Sequence, residues 1–112
     1  MELVDFLRAR LDEDEAAAMR VRSSWRQIGE TGVIVASDGG YAEECANGNW
    51  TGIAEHIVRH DPARVLAEVE VKRQLLEGAQ RWEGGTLEDY ILAPLARVWR
   101  DHPDFDPVWL EG

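Results

Sequence analysis

A corner at Asp61-Pro62 is the feature that most constrains how this chain can fold. It lies in the stretch AEHIVRHDPARVLAEVEVKRQLL at 54–76, where apolar residues recur at helical spacing on both sides. Asp61 is able to accept hydrogen bonds from the free N–H groups that begin a helix, and Pro62 suits the first helical turn. Pro62 also disfavours helical dihedrals at Asp61, so the preceding helix has to end near His60. The sequence therefore predicts two helices joined by a short corner.

The other elements are predicted from periodicity and turn residues. Apolar residues at three- and four-residue steps, without Gly or Pro, predict a first helix over residues 1–23. Short β-branched runs between glycines, with Asp-Gly at 38–39, predict two or three antiparallel strands at 25–45. A helix at 50–60 and a helix at 62–78 are predicted next, and Gly78 is the predicted C-cap of the second. The apolar face of the helix at 62–78 consists of Val65, Leu66, Val69, Leu75 and Leu76. A helix at 86–100 that Pro94 interrupts and a tail at 101–112 packed by Phe105 and Trp109 complete the chain.

This layout predicts a mainly helical α+β fold in one compact domain over residues 1–112. About four helices are expected, with a small antiparallel β-hairpin inserted after the first helix. A length of 112 residues suits a single domain with one hydrophobic core.

Charge and cysteine content narrow the classes of function. The chain has 22 acidic and 12 basic residues, a net charge of −10. Such a field repels phosphate backbones, so we expect no nucleic-acid partner. The single cysteine suits a reducing compartment, and the first residues lack the pattern of a signal peptide. No apolar run approaches the length of a membrane span, so we expect a cytoplasmic protein without a membrane partner.

Four consecutive acidic residues, Asp12, Glu13, Asp14 and Glu15, form the densest run of charge. Four successive helical side chains point around most of a turn, so they converge on one metal ion only with a second element. We interpret the run as a solvated helix surface that faces a partner. A metal site is the alternative.

Two histidines, His56 and His60, are four residues apart, the spacing at which a helix presents two zinc ligands. The metalloprotease order HExxH is not met, because Glu55 precedes His56. Cys45 and His102 are candidate further ligands in a small-ligand or metal-binding module. The simpler interpretation is that His60 stabilises the helix C-terminus and His56 lies on a polar face. A third interpretation is that Cys45 acts as a catalytic nucleophile beside a histidine. We predict no bound cofactor.

Five tryptophans are an unusually large number for a chain of 112 residues. Trp25, Trp50 and Trp99 occupy positions typical of a core, whereas Trp82 and Trp109 fall in a loop and in the tail. Because Trp is enriched at interface hot spots, we interpret Trp82 and Trp109 as candidate partner-binding residues. Packing within the fold is the alternative for both.

Three stretches carry a resemblance to known sequences: FLRARLDEDE at 6–15, AEHIVRHDPARVLAEVEVKR at 54–73, and HPDF…W at 102–109. They resemble an uncharacterised family of small actinomycete and actinophage proteins, with a looser likeness to early-region phage proteins. The resemblance implies no assigned activity. Some relatives carry a cysteine pair after the long helix, which implies a metal site in them. This chain has QRWEGG at 80–85 there, without a cysteine.

These observations favour a non-enzymatic accessory protein, actinobacterial or phage-encoded, that acts through protein–protein contact. The partner is an unidentified protein or a second copy of the chain. The alternative is a small-ligand or metal-binding module at the His56/His60 helix end. No catalytic residue is predicted.

Overall fold

A computed structural model of the chain describes residues 1–21, 24–36, 43–48, 51–82 and 88–110. Within these residues the helices are α1 (Leu3–Met19), α2 (Thr51–Arg59), α3 (Pro62–Arg81) and α4 (Ala93–Ala96), and the strands are β1 (Trp25–Gln27), β2 (Val33–Ala36) and β3 (Glu43–Asn47). A π-helical turn (Glu88–Leu92) precedes α4, and 3-10 helices span Arg97–Trp99 and Pro107–Leu110. The predicted mainly helical α+β fold is confirmed.

The chain divides into two compact units. The terminal unit contains Met1–Asp14 and Val69–Gly112, and the central unit contains Glu15–Glu68. The prediction of one domain over residues 1–112 stays a prediction. Within the described ranges, no helix is both long enough and apolar enough to span a membrane.

A three-stranded antiparallel sheet in the order β1-β2-β3 forms part of the central unit. Gln27 of β1 pairs with Ile34 of β2, and the β2–β3 register shifts between Ile34 and Val35, which are both buried. The third strand ends at Asn47, two residues beyond the predicted region. The predicted Asp-Gly turn lies outside the described residues.

Gly48 allows α2 to approach the sheet closely. A Cβ atom on Gly48 would lie only 2.7 Å from the backbone nitrogen of Ala54. The N–H of Gly48 donates to the carbonyl of Gly32 at 2.7 Å, and the hydroxyl of Thr51 donates to the carbonyl of Glu30 at 2.6 Å. These bonds attach the start of α2 to the turn between β1 and β2.

Asp61 organises the corner between α2 and α3. Its Oδ1 accepts the N–H of Arg64 at 2.9 Å, which is the predicted N-cap of α3. Its Oδ2 accepts the N–H of Trp25 at 2.9 Å, a contact with β1 that the sequence did not reveal. Nη1 of Arg64 in turn donates to the carbonyl of Arg59 at 3.2 Å, which satisfies a C-terminal carbonyl of α2. One carboxylate therefore holds a helix start and a strand start together.

Two helix boundaries correct the prediction. α1 ends at Met19 rather than at residue 23, with the N–H of Val21 donating to the carbonyl of Ala18 at 3.2 Å. The β-branched Val21 and the serines after it are poor helix residues, which favours this early end. α3 continues to Arg81, so Gly78 lies inside the helix and is not its C-cap.

Gly78 weakens α3 without serving a visible steric need within its own chain. A Cβ added there meets nothing within 4 Å. We expect Gly78→Ala to raise the free energy of unfolding by about 0.5 to 1 kcal/mol, because glycine loses more backbone entropy in a helix than alanine does. Urea denaturation followed by circular dichroism measures this change. Gly29→Ala is the control that should destabilise, since Gly29 has a φ of +54°. A destabilised Gly78→Ala would mean that α3 ends earlier in solution.

The terminal unit has an aromatic core. Phe6 of α1 is fully buried, and its ring centroid lies 5.9 Å from Phe105 and 5.0 Å from Trp109. The Phe105 and Trp109 rings are 5.2 Å apart in an edge-to-face arrangement. The guanidinium of Arg97 donates to the carbonyls of Trp109 and Leu110, both at 3.3 Å. The tail is thus held to α1 and to the 3-10 helix before it. The other buried residues of this core are Leu3, Leu7, Leu76, Leu92, Ala93 and Ala96.

Pro94 breaks the helix that was predicted at 86–100 into pieces of different type. A π-helical turn, one turn of α-helix and a 3-10 helix follow one another from Glu88 to Trp99. Proline lacks an N–H, and its ring clashes with the carbonyl four residues earlier in an α-helix. The π-helical turn ends directly before α4, whose second residue is Pro94, so the proline lies in a first helical turn, where its missing N–H is tolerated. Residues 86–87 lie outside the described part of the chain.

Candidate interaction surface

His56 and His60 lie side by side at the end of α2, with ring centroids 4.6 Å apart. Nδ1 of His60 donates to the carbonyl of His56 at 2.9 Å, which satisfies one of the last carbonyls of the helix. Among the described residues, no group of three or more His, Cys, Asp or Glu side chains is placed to hold a metal ion. Cys45 belongs to β3, where only its backbone is described, and His102 belongs to the terminal unit. The structure thus gives His60 the capping role at the end of α2.

His102 supports a buried arginine. Nη1 of Arg10 donates to Nδ1 of His102 at 2.9 Å, and Nη2 of Arg10 donates to Glu13 at 2.8 Å. The guanidinium carbon of Arg10 lies 5.0 Å from the centre of the Phe6 ring. The N–H of Asp104 also donates to Nδ1 of His102, at 3.0 Å. Because Nδ1 accepts two hydrogen bonds, the ring proton is on Nε2, and neither nitrogen offers a lone pair to a metal.

The acidic run is only partly a free surface. Asp12 pairs with Arg73 at 2.9 Å, and Glu13 with Arg10 at 2.8 Å, both inside the terminal unit. Asp14 is half-buried, while Asp12, Glu13 and Glu15 are exposed. The run therefore helps to hold α1 to α3 as well as carrying surface charge. Its predicted role towards a partner stays a prediction.

The carboxyl of Asp14 has a raised pKa. Burial raises the pKa of its carboxyl above the ordinary value, against the opposing attraction of Lys72, while Glu13 raises it further and Arg10 lowers it. The folded state therefore binds this proton more tightly than the unfolded state. It follows that Asp14 lowers stability at pH values above its folded pKa, and that this penalty fades as the pH falls through that pKa towards 3.8.

We expect Asp14→Asn to increase the free energy of unfolding at pH 7, because the amide is buried without carrying a charge. The gain over the parent chain should shrink as the pH is lowered through the folded pKa of Asp14 and vanish below the ordinary value of 3.8. Urea denaturation at several pH values measures both. Asp101→Asn at an exposed position makes the same change in net charge and is the control. An equal gain in both variants would assign the effect to the overall charge of −10.

The tryptophans divide differently from the prediction. Trp109 is only 9% exposed and belongs to the core of the terminal unit, which agrees with the alternative that it packs within the fold, while its role towards a partner stays a prediction. Its ring packs against Phe6, a residue far away in the sequence. Trp82 is 59% exposed, as a partner-binding residue requires. Trp25 and Trp99 are half-buried, and Trp50 lies outside the described residues.

An exposed apolar stripe runs along the part of α3 that belongs to the terminal unit. Val71, Leu75, Gly78 and Trp82 fall within about 60° around the helix axis at 3.6 residues per turn. Val71 is 54% exposed and Leu75 45% exposed. Trp82 continues the last turn, because its N–H donates to the carbonyl of Ala79 at 3.4 Å. We call these four residues the α3 stripe. Other exposed large apolar residues of this unit are Met1 at the start of the chain and Tyr90, Val98, Val108 and Leu110 on short helical segments and in the tail.

Leu75 corrects the predicted apolar face of α3. The helical spacing put Leu75 and Leu76 on one apolar face, but consecutive helical residues point about 100° apart. Leu76 is 3% exposed and lies in the core, whereas Leu75 faces outward. Periodicity alone did not reveal the stripe, because α3 has apolar residues on both its buried and its exposed sides.

Comparison with known proteins identifies the family. Residues 1–111 match the model of a family of unknown function, DUF6221. The chain belongs to DUF6221. No curated protein and no solved structure matches it. The predicted membership of an uncharacterised family is confirmed, and the actinomycete and phage origin stays a prediction.

In this DUF6221 chain, two of the three stretches that carried the resemblance meet in the terminal unit. Phe6 and Arg10 from FLRARLDEDE contact His102 and Trp109 from HPDF…W. The third stretch contains Asp61 and thus the corner of the central unit. In the sequence, Phe6 and Arg10 are one helical turn apart, and this pairing was the signal that the sequence analysis missed.

Proposed function

We propose that this protein acts by binding another protein through the α3 stripe. The observation that carries the proposal is that Val71, Leu75 and Trp82 are each about half exposed along one face of a single helix. Large contiguous apolar patches in water mark interaction sites, whereas singly scattered apolar residues are ordinary surface. Helices that dock on other proteins place their apolar anchors on one face in this way, and here the anchors lie at i, i+4 and i+11.

Trp82 is the anchor of this surface. Its ring offers the largest apolar area on the stripe, and it is exposed in the unbound chain. We expect Trp82→Ala to weaken binding roughly thirtyfold, equivalent to about 2 kcal/mol, as truncation of an interface tryptophan does. The same change should alter the free energy of unfolding by no more than about 0.5 kcal/mol, because the side chain contributes little to the core.

The acidic run contributes long-range charge to the proposed binding. Asp12 and Glu13 remain exposed while they pair with Arg73 and Arg10. Exposed charges of this kind set the rate and the salt dependence of association more than its strength. They speed the encounter with a basic partner and slow the encounter with an acidic one.

The proposed biological setting is that of an accessory protein encoded by an actinobacterium or its phage. Only the resemblance of the three sequence stretches supports this setting. The proposed binding surface does not depend on it.

Site-specific photocrosslinking tests the binding surface. A benzophenone amino acid replaces Leu75 on the stripe or, as the matched control, Val108 in the tail, which is 53% exposed. In lysate of the cells that naturally make the protein, position 75 should give light-dependent adducts with a protein, and position 108 should give few. Equal adducts from both positions, or none from position 75, would contradict the proposal.

A pair of second-site variants tests whether the adducts depend on the stripe. Val71→Asp and Val108→Asp introduce the same charge at valines of almost equal exposure, 54% and 53%. Adduct formation at position 75 should be lost with Val71→Asp and kept with Val108→Asp. Both variants should keep the circular dichroism spectrum of the parent chain. Adducts that survive Val71→Asp would move the binding surface away from α3.

A further inference from the structure

We infer that the partner on the α3 stripe is a second copy of this chain, with the two α3 helices antiparallel across a twofold axis. This inference rests on the proposed binding surface. The stripe residues are Val71, Leu75, Gly78 and Trp82, and the steps between them are four, three and four residues. This spacing is the same when the helix is reversed. A twofold interface needs such a self-complementary surface, in which residue i meets j and j meets i.

The reversed spacing pairs large residues with small ones. Alternating steps of four and three residues form the seam along which two helices interlock side chains. In an antiparallel pair, Leu75 of one copy lies opposite Gly78 of the other, and Val71 lies opposite Trp82. A Cβ on Gly78 would meet nothing within 4 Å, so the space above this glycine is open to a leucine side chain. Both Leu75 side chains are accommodated in this way.

A parallel pair fits less well. It would set Gly78 against Gly78 and leave a gap in the seam, with Trp82 against Trp82 at one end. Cavities of that kind in an interface forfeit packing contacts. The pattern of side-chain sizes therefore favours the antiparallel arrangement.

The residues beside the stripe are compatible with the antiparallel pair. Gln74 and Arg81 flank the stripe on one side, and Lys72 and Ala79 flank it on the other. Reversal brings Gln74 opposite Arg81, and Lys72 opposite Ala79. Neither pair sets like charges against each other, which would destabilise a helix pair. Lys72 also has its ammonium 5.6 Å from the centre of the Trp99 ring in its own chain.

Size and charge determine what such a dimer looks like in solution. Three turns of helix bury less surface than the roughly 1,200 Å² at the low end of stable interfaces, so the association is weak and depends on concentration. Each copy carries a net charge of −10, so the copies repel at long range. Salt screens that repulsion and therefore strengthens the dimer. A basic partner on the same stripe would show the opposite salt dependence.

Sedimentation velocity of the purified chain tests the inference. From about 10 µM to about 1 mM the mean mass should rise towards that of two chains, and the association constant should be severalfold higher at about 0.5 M salt than at about 0.05 M. Leu75→Glu should be monomeric throughout this range, and Val108→Glu, at a matched exposed position, should behave as the parent chain. A chain that stays monomeric, or a dimer that survives Leu75→Glu, overturns the inference.

Cysteine crosslinking tests the orientation. In a Cys45→Ser background whose sedimentation matches the parent, Gln74→Cys and Arg81→Cys chains are mixed and treated with a short bismaleimide. The antiparallel pair predicts that mixed 74–81 dimers make up far more than the roughly one half of crosslinked dimers that random pairing of equal amounts of the two chains gives. A predominance of 74–74 dimers would overturn the antiparallel arrangement.

The two proposals fail in different ways. If position 75 gives photoadducts of another mass and the purified chain is monomeric, the second copy is excluded while binding through α3 stands. If position 75 gives no more adducts than position 108 in lysate, the binding surface itself is wrong. A purified dimer that Leu75→Glu abolishes supports both.

Discussion

Phe6→Ala is expected to lower the free energy of unfolding by about 4 kcal/mol, the largest loss among the single changes considered. Phe6 is fully buried and touches three rings, with centroids 5.6 Å away at His102, 5.9 Å at Phe105 and 5.0 Å at Trp109. Truncation removes the apolar area of the ring and leaves a cavity that these rings cannot fill without leaving their positions. It also removes the surface on which the guanidinium of Arg10 lies.

A graded series separates aromatic packing from simple burial. Phe6→Leu keeps most of the buried volume and should cost no more than about 1.5 kcal/mol. Val108→Ala, at an exposed position, should change stability by no more than about 0.5 kcal/mol. Urea denaturation followed by circular dichroism gives all three values. A loss below about 1 kcal/mol for Phe6→Ala would mean that the tail does not pack on α1 in solution.

Asp61→Ala is expected to cost about 3 kcal/mol, well above the cost of about 1 kcal/mol typical of a helix N-cap alone. The carboxylate is buried and accepts two backbone N–H groups, from Arg64 and from Trp25, each at 2.9 Å. Alanine leaves both donors without this acceptor. The loss therefore weakens the start of α3 and the start of β1 together.

Asp61→Asn dissects the two contacts. The amide has one oxygen and one NH2 group, so one of the two N–H donors faces another donor whichever way the side chain is turned. The free energy of unfolding of Asp61→Asn should therefore lie between that of the parent chain and that of Asp61→Ala. If Asp61→Ala costs only about 1 kcal/mol and Asp61→Asn costs nothing, the contact with Trp25 contributes nothing in solution. The cap would then be the whole effect.

The sequence predicted well where the chemistry is local. The cap of Asp61 on Arg64 spans three residues, and the restriction that Pro62 imposes acts on its immediate neighbour. The β-branched residues of β2 and the interruption at Pro94 are of the same kind. Helix ends were less well predicted, since Gly78 is compatible both with a C-cap and with the interior of an exposed helix.

The candidate site was predicted in part. Trp82 was singled out because a loop tryptophan has no local reason to be buried, and it is exposed. Trp109 had the same local signature but lies in the core, because Phe6 and Phe105 surround it. His102 was considered as a metal ligand on residue type alone, and in the structure its Nδ1 accepts hydrogen bonds from Arg10 and Asp104.

The sequence by itself determined the family, the fold class and the Asp61-Pro62 corner. Family motifs, helical periodicity and helix capping all depend on residues that are close together in the sequence. Only the tertiary structure decided which side of α3 is buried, which tryptophan is exposed and what Asp61 holds besides its own helix. Those outcomes depend on contacts across long stretches of chain, such as Phe6 with Trp109 and Trp25 with Asp61. Spacing along a helix determines which residues share a face. Which face is buried depends on where the other segments of the chain pack their apolar surface against the helix.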